Sequence, residues 1–310
     1  MNPSPSMPRP ASGNQIVIGA GPYRAVIASV GASLRKLQYD GRDLIVPFAA
    51  DRVRPSFRGA VLAPWPGRVV DGRYVLSDSV QRLPLNESAH GHARDGLALW
   101  LDFAAASSSA SAVSMMQVIE AQEGYPCRLA IEVGYRLDTL TGLTWQVSVI
   151  NVGSTTAPYG TGVHPYLVAG PSRLDEWELT LPAQSFVETV GDRLLPGEQR
   201  PAAGGSLDFL AGRPLGDSKI DNAFSDLVWD GSGHATAVLK DPSGTGVAMA
   251  WGRSCPWVHV HTADHLADDD RLGLAVEPVT CPPNAFNSHE DLIWLEPGQT
   301  HQATWEIRAL

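Results

Sequence analysis

The sequence predicts an all-β protein, a large antiparallel β-sandwich that takes residues 15–310 as a single domain. Three observations predict it. In RLAIEVGYRL (128–137), Leu129, Ile131, Val133, Tyr135 and Leu137 alternate with Arg128, Ala130, Glu132, Gly134 and Arg136, and LTWQVSV (143–149) alternates in the same way. A period of two is the mark of a half-buried strand. No apolar stripe at helical spacing persists for about 12 residues. The 30 Gly and 24 Pro fit many turns and short connections.

The elements follow in chain order. Residues 1–14, within MNPSPSMPRPASGNQ, are rich in Pro and Ser and carry no apolar core of a signal peptide. A disordered leader is expected there, and with it a cytoplasmic protein. Strands are expected near 15–20, 24–38, 98–104 and 112–121, then over 128–137 and 143–149, joined by DTLTG as a hairpin. Further strands are expected near 175–181, 236–241, 245–251, 256–262, 272–277, 291–295 and 302–308. No run approaches the roughly 18–20 apolar residues that span a bilayer, so no membrane partner is expected.

Composition narrows the function. A formal net charge of -10 with no basic run would repel a polyanion, so nucleic acid is a poor partner, while a neutral small molecule is compatible. Three cysteines, Cys127, Cys255 and Cys281, with no CxxC pair, suit reduced thiols and make a structural zinc site a poor expectation.

Five polar residues interrupt segments that should be buried or tightly turned. His164, in TGVHPYLV, is held extended by Pro165 and can exchange a proton near neutral pH, or serve as a satisfied half-buried histidine. His90, in NESAHGHARDG, shares a face with His92 if the chain is extended. A metal is disfavoured there by Arg94 close by, and a ligand-binding His90 or a plain loop remain. The similar HVHTADH (259–265) sits in an apolar strand and reads as mostly structural. Arg68 follows the stiff Pro-Trp-Pro-Gly stretch and offers a planar fork to hydroxyls or carboxylates, or caps a turn. Asp221, in KIDNAFSDLVW, is a ligand contact or turn chemistry. Glu277 ends the apolar run LGLAV ahead of Pro278 and the pair Pro282-Pro283. Apolar flanks raise the pKa of a carboxyl towards that of a useful general base.

Taken together, these segments resemble the aldose 1-epimerase (mutarotase) family. The order is LAPWPGR (62–68), then N-x3-HG-x2-R from Asn86 to Arg94, then G-x-HPY from Gly162 to Tyr166, then IDNAF (220–224), then EP-x-T-C-PP-x-AFN from Glu277 to Asn287. The closing LIWLEPGQTHQATWEI is similar too, so the resemblance covers roughly 15–310. It implies a galactose mutarotase-like supersandwich that binds a free sugar in a cleft on one sheet, with no cofactor and no metal. It makes Glu277 the general base and His164 the general acid, and it makes His90, Arg68, Asp221 and Asn86 substrate-binding. Trp65 and Tyr166 are candidates for an aromatic wall, or for core. Gly67, Asn284 and His289 depart from residues common in the family.

The implied chemistry is ring opening and reclosure that interconverts α and β anomers. Glu277 takes the proton of O1 and His164 gives one to the ring oxygen. With ordinary pKa values near 4.3 and 6.5, the required ionic pair exists between them, and an anionic Glu277 should raise the His164 value. A glycoside hydrolase would want two carboxylates, for which Asp221 and Glu277 could be cast, but a His stands in the acid position. A non-catalytic sugar-binding protein of the same fold would not need both Glu277 and His164. A relative acting on a phosphorylated sugar would call for a cluster of cations, and only Arg68 and Arg94 can be placed near the site.

Overall fold

The structure, a computed structural model, describes residues 9–264 and 270–310. It is built almost wholly of antiparallel strands, with one four-residue α-helix, Ala285–Ser288, among the described residues. None of their helices is long and apolar enough to cross a membrane, which says nothing of a β-barrel.

Two large sheets form the sandwich. The nine-stranded sheet runs, edge to edge, through Ala104–Ser108, Ala112–Ile119, Leu129–Asp138, Gly142–Asn151, Thr300–Ala309, Gly246–Gly252, His234–Lys240, Glu178–Thr180 and Arg213–Pro214. The alternation read from 128–149 is visible in its pairing: Val133 faces Val147, Tyr135 faces Trp145, and Trp145 in turn faces Trp305. These side chains are buried in one continuous core. Each large aromatic removes about 150–250 Å² from water, so such rings dominate the packing.

The eight-stranded sheet carries the site. Its order is Leu195–Pro201, Ala183–Val190, Asp221–Leu227, Trp257–His261, Leu274–Val279, Gly162–His164 and Ala60–Leu62, with Tyr166–Leu167 also pairing to Leu274–Val279. Register divides each strand between two faces. Val258, Val260, Leu274 and Val276 point into the sandwich core. The Trp305 indole N–H donates across to the Pro278 carbonyl at 3.1 Å and ties the two sheets together. The other face carries Trp257, His259 and His261 on one strand and Ala275, Glu277 and Val279 on the next. Small apolar clusters flank the polar residues on that face, one with Ala223, Trp257 and Val279, the other with Tyr166, Ala263 and Ala275. Leu274–Val279 is therefore buried on both faces.

Several sequence expectations change. Of the expected leader, residues 1–8 lie outside the described residues, as does His265 of the HVHTADH segment. From Arg9 onward the leader is fastened: the Arg9 guanidinium bonds Asp102 at 2.8 Å and Ser29 at 2.7 Å, and the Ser12 N–H donates to the Ala50 carbonyl at 2.9 Å. The 24–38 run is two strands, Tyr23–Ala28 and Ser33–Tyr39, because the chain turns through Gly31 and Ala32 at positive φ. Residues 98–100 form a 3-10 turn and the strand begins at Ala104. Ala183–Val190, Leu195–Pro201 and Asp221–Leu227 were not expected as strands.

Candidate active site

The sheet geometry brings the middle of the chain against its end. His259 and Glu277 are direct partners across neighbouring strands, and so are Gly162 and Val279. Two residues further along, the second register sets His164 beside Glu277. Glu277 thus has an imidazole on each flank. The His164 Nε2 lies 3.2 Å from Glu277 Oε1, close but not aligned as a hydrogen bond, so both atoms stay unpartnered. Pro165 holds the His164 backbone extended, as the sequence suggests, and the Val276 N–H donates to the Pro165 carbonyl at 3.3 Å.

A pocket lies beside this pair, with about 370 Å³ of space when its open mouth is counted. Glu277, His259, Arg68, Arg94, Asp95 and Pro283 line it. His164 is 0% exposed and sits behind Glu277. Its ring stacks on Tyr166 with centroids 5.1 Å apart and planes 16° apart. The Tyr166 hydroxyl donates to the Ser56 carbonyl at 3.2 Å, so Tyr166 backs the imidazole and does not form a wall of the pocket. Trp65 is placed in the core, edge-to-face with Phe286 at 5.5 Å, and does not line the pocket either.

Arg68 is held by Glu87 through two bonds, 2.8 Å from Nε and 3.0 Å from Nη2, with Asp221 Oδ2 a further 3.6 Å from Nη2. Arg94 reaches Asp95 at 2.9 Å and Glu87 at 3.4 Å and lies over the Phe57 ring at 5.2 Å. Asp95 accepts the Gly67 N–H at 2.8 Å. Asp221 Oδ1 takes a hydrogen bond of 2.7 Å from His259 Nε2. His90 stands at the rim with Nδ1 3.4 Å from Glu87 Oε1. Asn86 spends both amide ends on the Arg94 backbone, accepting its N–H at 2.7 Å and donating to its carbonyl at 2.8 Å. It shapes the loop that carries His90 and Arg94. His92 does not join His90. It is 0% exposed, accepts the Asp71 N–H at Nδ1 and donates Nε2–H to the Arg193 carbonyl at 2.7 Å. The chain turns at 90–91 and is not extended there, so the expected shared face does not form.

Electrostatics sort the acids. Burial, and then the charge of Asp95, push the Glu277 carboxyl well above its usual range. Burial also raises Asp95. Glu87 and Asp221 go the other way: burial opposes ionisation, but the Arg68 bonds hold Glu87 below its usual value and the His259 bond does the same for Asp221. Burial, and then Arg94, drive His164 well below its usual value. Burial thus favours the neutral form of both groups, a protonated Glu277 and an uncharged His164. This corrects the expectation that an anionic Glu277 raises the His164 value: desolvation of the buried ring outweighs that attraction.

The three positions noted as departing from the family pattern share a backbone conformation, and at His289 it offers no explanation of the departure. Gly67, Asn284 and His289 all have left-handed backbone, with φ of 66°, 65° and 63°. Gly adopts that region freely and Asn tolerates it. Asn284 also bonds inward, its Oδ1 accepting the Val70 N–H at 3.1 Å and its own N–H donating to the Arg68 carbonyl at 2.7 Å. The stiff loop behind Glu277 thus fixes the backbone of Arg68.

Sequence reasoning did not single out His259, Glu87 or Asp95. The signal for His259 was present, since period-two spacing puts Trp257, His259 and His261 on one face, but the apolar residues between them concealed it.

Comparison with known proteins places the chain and its fold. A family model described as aldose 1-epimerase matches residues 14–308. The uncharacterized protein YihR of Escherichia coli (strain K12) is 33% identical over 298 residues, covering 96% of this chain and 93% of that one. The crystal structure of a putative aldose 1-epimerase from Escherichia coli K12 superposes with a TM-score of 0.82 at 21% identity, over 96% of this chain and 99% of that one. A galactose mutarotase-like protein from Clostridium acetobutylicum superposes with a TM-score of 0.84 at 21% identity, over 96% and 95%. The family model over nearly the whole chain and the match to YihR together show that the chain belongs to the aldose 1-epimerase family.

Proposed function

We propose that the protein interconverts the α and β anomers of a free aldose by acid/base-catalysed ring opening and reclosure. The observation that carries this reading is the contact of 3.2 Å between His164 Nε2 and Glu277 Oε1, with Glu277 lining a pocket. Anomer exchange removes a proton from O1 and delivers one to the ring oxygen, then reverses both transfers after rotation about C1–C2. One shared proton on two adjacent groups suffices.

Glu277 acts as base only when ionised, and His164 as acid only when protonated. That ionic pair and the neutral pair of the empty site hold the same number of protons and differ by one transfer over 3.2 Å. A sugar hydroxyl donating to Glu277 favours the carboxylate and moves the proton to His164. Because the titration belongs to the pair, gain of a second proton sets the acid limb of activity and loss of the shared proton sets the alkaline limb. Burial spreads the two limbs beyond the window that ordinary values give. Arg68, Asp221 and His90 bind the sugar in this reading, and Asn86 positions the loop.

The test is polarimetry or NMR on freshly dissolved α-anomers of several aldoses, with wild type beside Glu277→Gln. Loss of a positioned proton-transfer group lowers the rate about 100- to 10,000-fold, while the variant still binds sugar. An unchanged rate with normal binding refutes the enzyme and leaves a sugar-binding protein.

A further inference from the structure

Glu277 has two imidazole neighbours across its flanking strands, and the anomerase reading uses only His164. His259 is the one that lines the pocket. Its Nε2 lies 2.7 Å from Asp221 Oδ1, and a carboxylate can only accept, so His259 carries its hydrogen on Nε2. The ring nitrogen of His261 that faces Asp221 is 4.0 Å away and is engaged by the Ile220 carbonyl at 3.2 Å, so His261 does not compete.

The two oxygens of Asp221 are thereby made different. Oδ1 is engaged by His259. Oδ2 has Arg68 Nη2 at 3.6 Å, beyond hydrogen-bond distance. Arg68 is itself anchored by Glu87, so its guanidinium cannot swing over to close that gap without giving up bonds of 2.8 and 3.0 Å. An acceptor oxygen and a fixed donor then stand side by side, 3.6 Å apart. A secondary hydroxyl set beside both would donate to Asp221 Oδ2 and accept from Arg68. Asp221 comes from the strand second removed from that of Glu277, about 10 Å away between backbones, so the hydroxyl belongs to a part of the ring distant from C1.

We propose that His259 is a positioning residue: by holding Asp221 Oδ1 it leaves Oδ2 turned to Arg68, which lines the pocket, and so makes the Asp221–Arg68 pair read one ring hydroxyl of the aldose. This rests on the anomerase reading for the identity of the ligand. A charged hydrogen bond lost from such a pair is worth about 10- to 100-fold in binding.

The experiment uses the full chain with an accepted aldose and its 2-, 3-, 4- and 6-deoxy analogues. KM and kcat come from NMR exchange, and Kd from calorimetry, for wild type, His259→Phe, His259→Gln and Glu277→Gln, with circular dichroism confirming the fold of each. The expected result has three parts. His259→Phe raises KM and Kd about 10- to 100-fold while kcat changes about threefold or less. His259→Gln, whose amide N–H can still donate to Asp221, recovers most of that loss. One deoxy analogue is strongly rejected by wild type but not by His259→Phe. If His259→Phe discriminates the deoxy series as wild type does, or if His259→Gln is as impaired as His259→Phe, the positioning role is overturned while the Glu277 reading stands. If wild type binds aldoses without accelerating their exchange, the anomerase reading falls and the calorimetric arm still decides the role of His259. If wild type binds none of them, both fall.

Discussion

The most exposed consequence of the site is a stability difference that depends on pH, read by removing the carboxyl of Glu277. Burial raises Glu277 above its usual 4.5 and lowers His164 below its usual 6.5. A raised carboxyl contributes stability that is complete below 4.5 and is lost as pH climbs to the folded value. A lowered imidazole contributes stability that is complete above 6.5 and is lost as pH falls to its folded value. Between 4.5 and 6.5 the unfolded pair carries one proton, on His164, and the folded pair also carries one, on Glu277, so the pair adds no slope there. Above 6.5 the unfolded pair has none and the folded pair retains one, so each pH unit costs the wild type about 1.4 kcal/mol. In Glu277→Gln that loss disappears. The variant should therefore gain on wild type by about 1.4 kcal/mol per pH unit from pH 4.5 up to the folded value of Glu277, even as its activity collapses. Urea unfolding of both proteins at pH 5, 6, 7 and 8 measures the difference directly, and other titrating groups cancel. A difference that stays constant from pH 5 to 8 would mean that Glu277 ionises normally in the fold, and the shared-proton account would be wrong.

Other consequences are simpler. Gly96 has φ 82°, and a Cβ there would sit 2.1 Å from the Ala63 carbonyl, so Gly96→Ala should cost more than about 1 kcal/mol and raise KM by disturbing Asp95; thermal melts and kinetics report both, and a neutral substitution would contradict the geometry. Arg54 is buried, its value pushed down to about 10 by burial, and it donates to the Leu99 carbonyl at 2.6 Å and to Ser33. Arg54→Ala strands these acceptors and should cost about 2–5 kcal/mol in urea unfolding. Glu87→Gln weakens the hold on Arg68 and Arg94 together and should raise the sugar KM about tenfold with a smaller effect on kcat; a fall in kcat alone would place Glu87 in the proton chemistry instead.

What the sequence revealed depended on how each residue announces itself. Strands with one wet face, such as Leu129–Asp138, alternate plainly. Leu195–Pro201 does not, since nearly all of it is exposed at a sheet edge and no apolar face had to be written into it. The catalytic candidates stood out because each breaks a pattern: Glu277 interrupts an apolar run and His164 precedes a proline. His259 breaks nothing. It occupies the polar phase of an ordinary alternation, and only the pairing of its strand with that of Glu277 gives it meaning. Glu87 and Asp95 look like loop acids until the fold supplies the two arginines. Trp65 was open between an aromatic wall and the core, and the chain directs it inward onto Phe286.

The charge inventory bears on how, in the proposed reading, a carboxyl that burial favours in its neutral form could still serve as a base. Four carboxyls, Glu87, Asp95, Asp221 and Glu277, gather around two guanidiniums, Arg68 and Arg94. The two guanidiniums hold Glu87 and Asp221 below their usual values with help from His259, while burial raises Asp95 and Glu277. Ionising Glu277 as well would leave an uncompensated charge in a desolvated place, unless a proton appears beside it at the same moment. His164 is the group placed to receive that proton, and its own burial makes it reluctant to keep it. Each partner is thus unstable in its charged form alone, and the two ionise together or not at all. On the proposed reading a solvated Glu277 would be a weaker base, so the burial that favours its neutral form is also what would make proton transfer to and from a sugar effective.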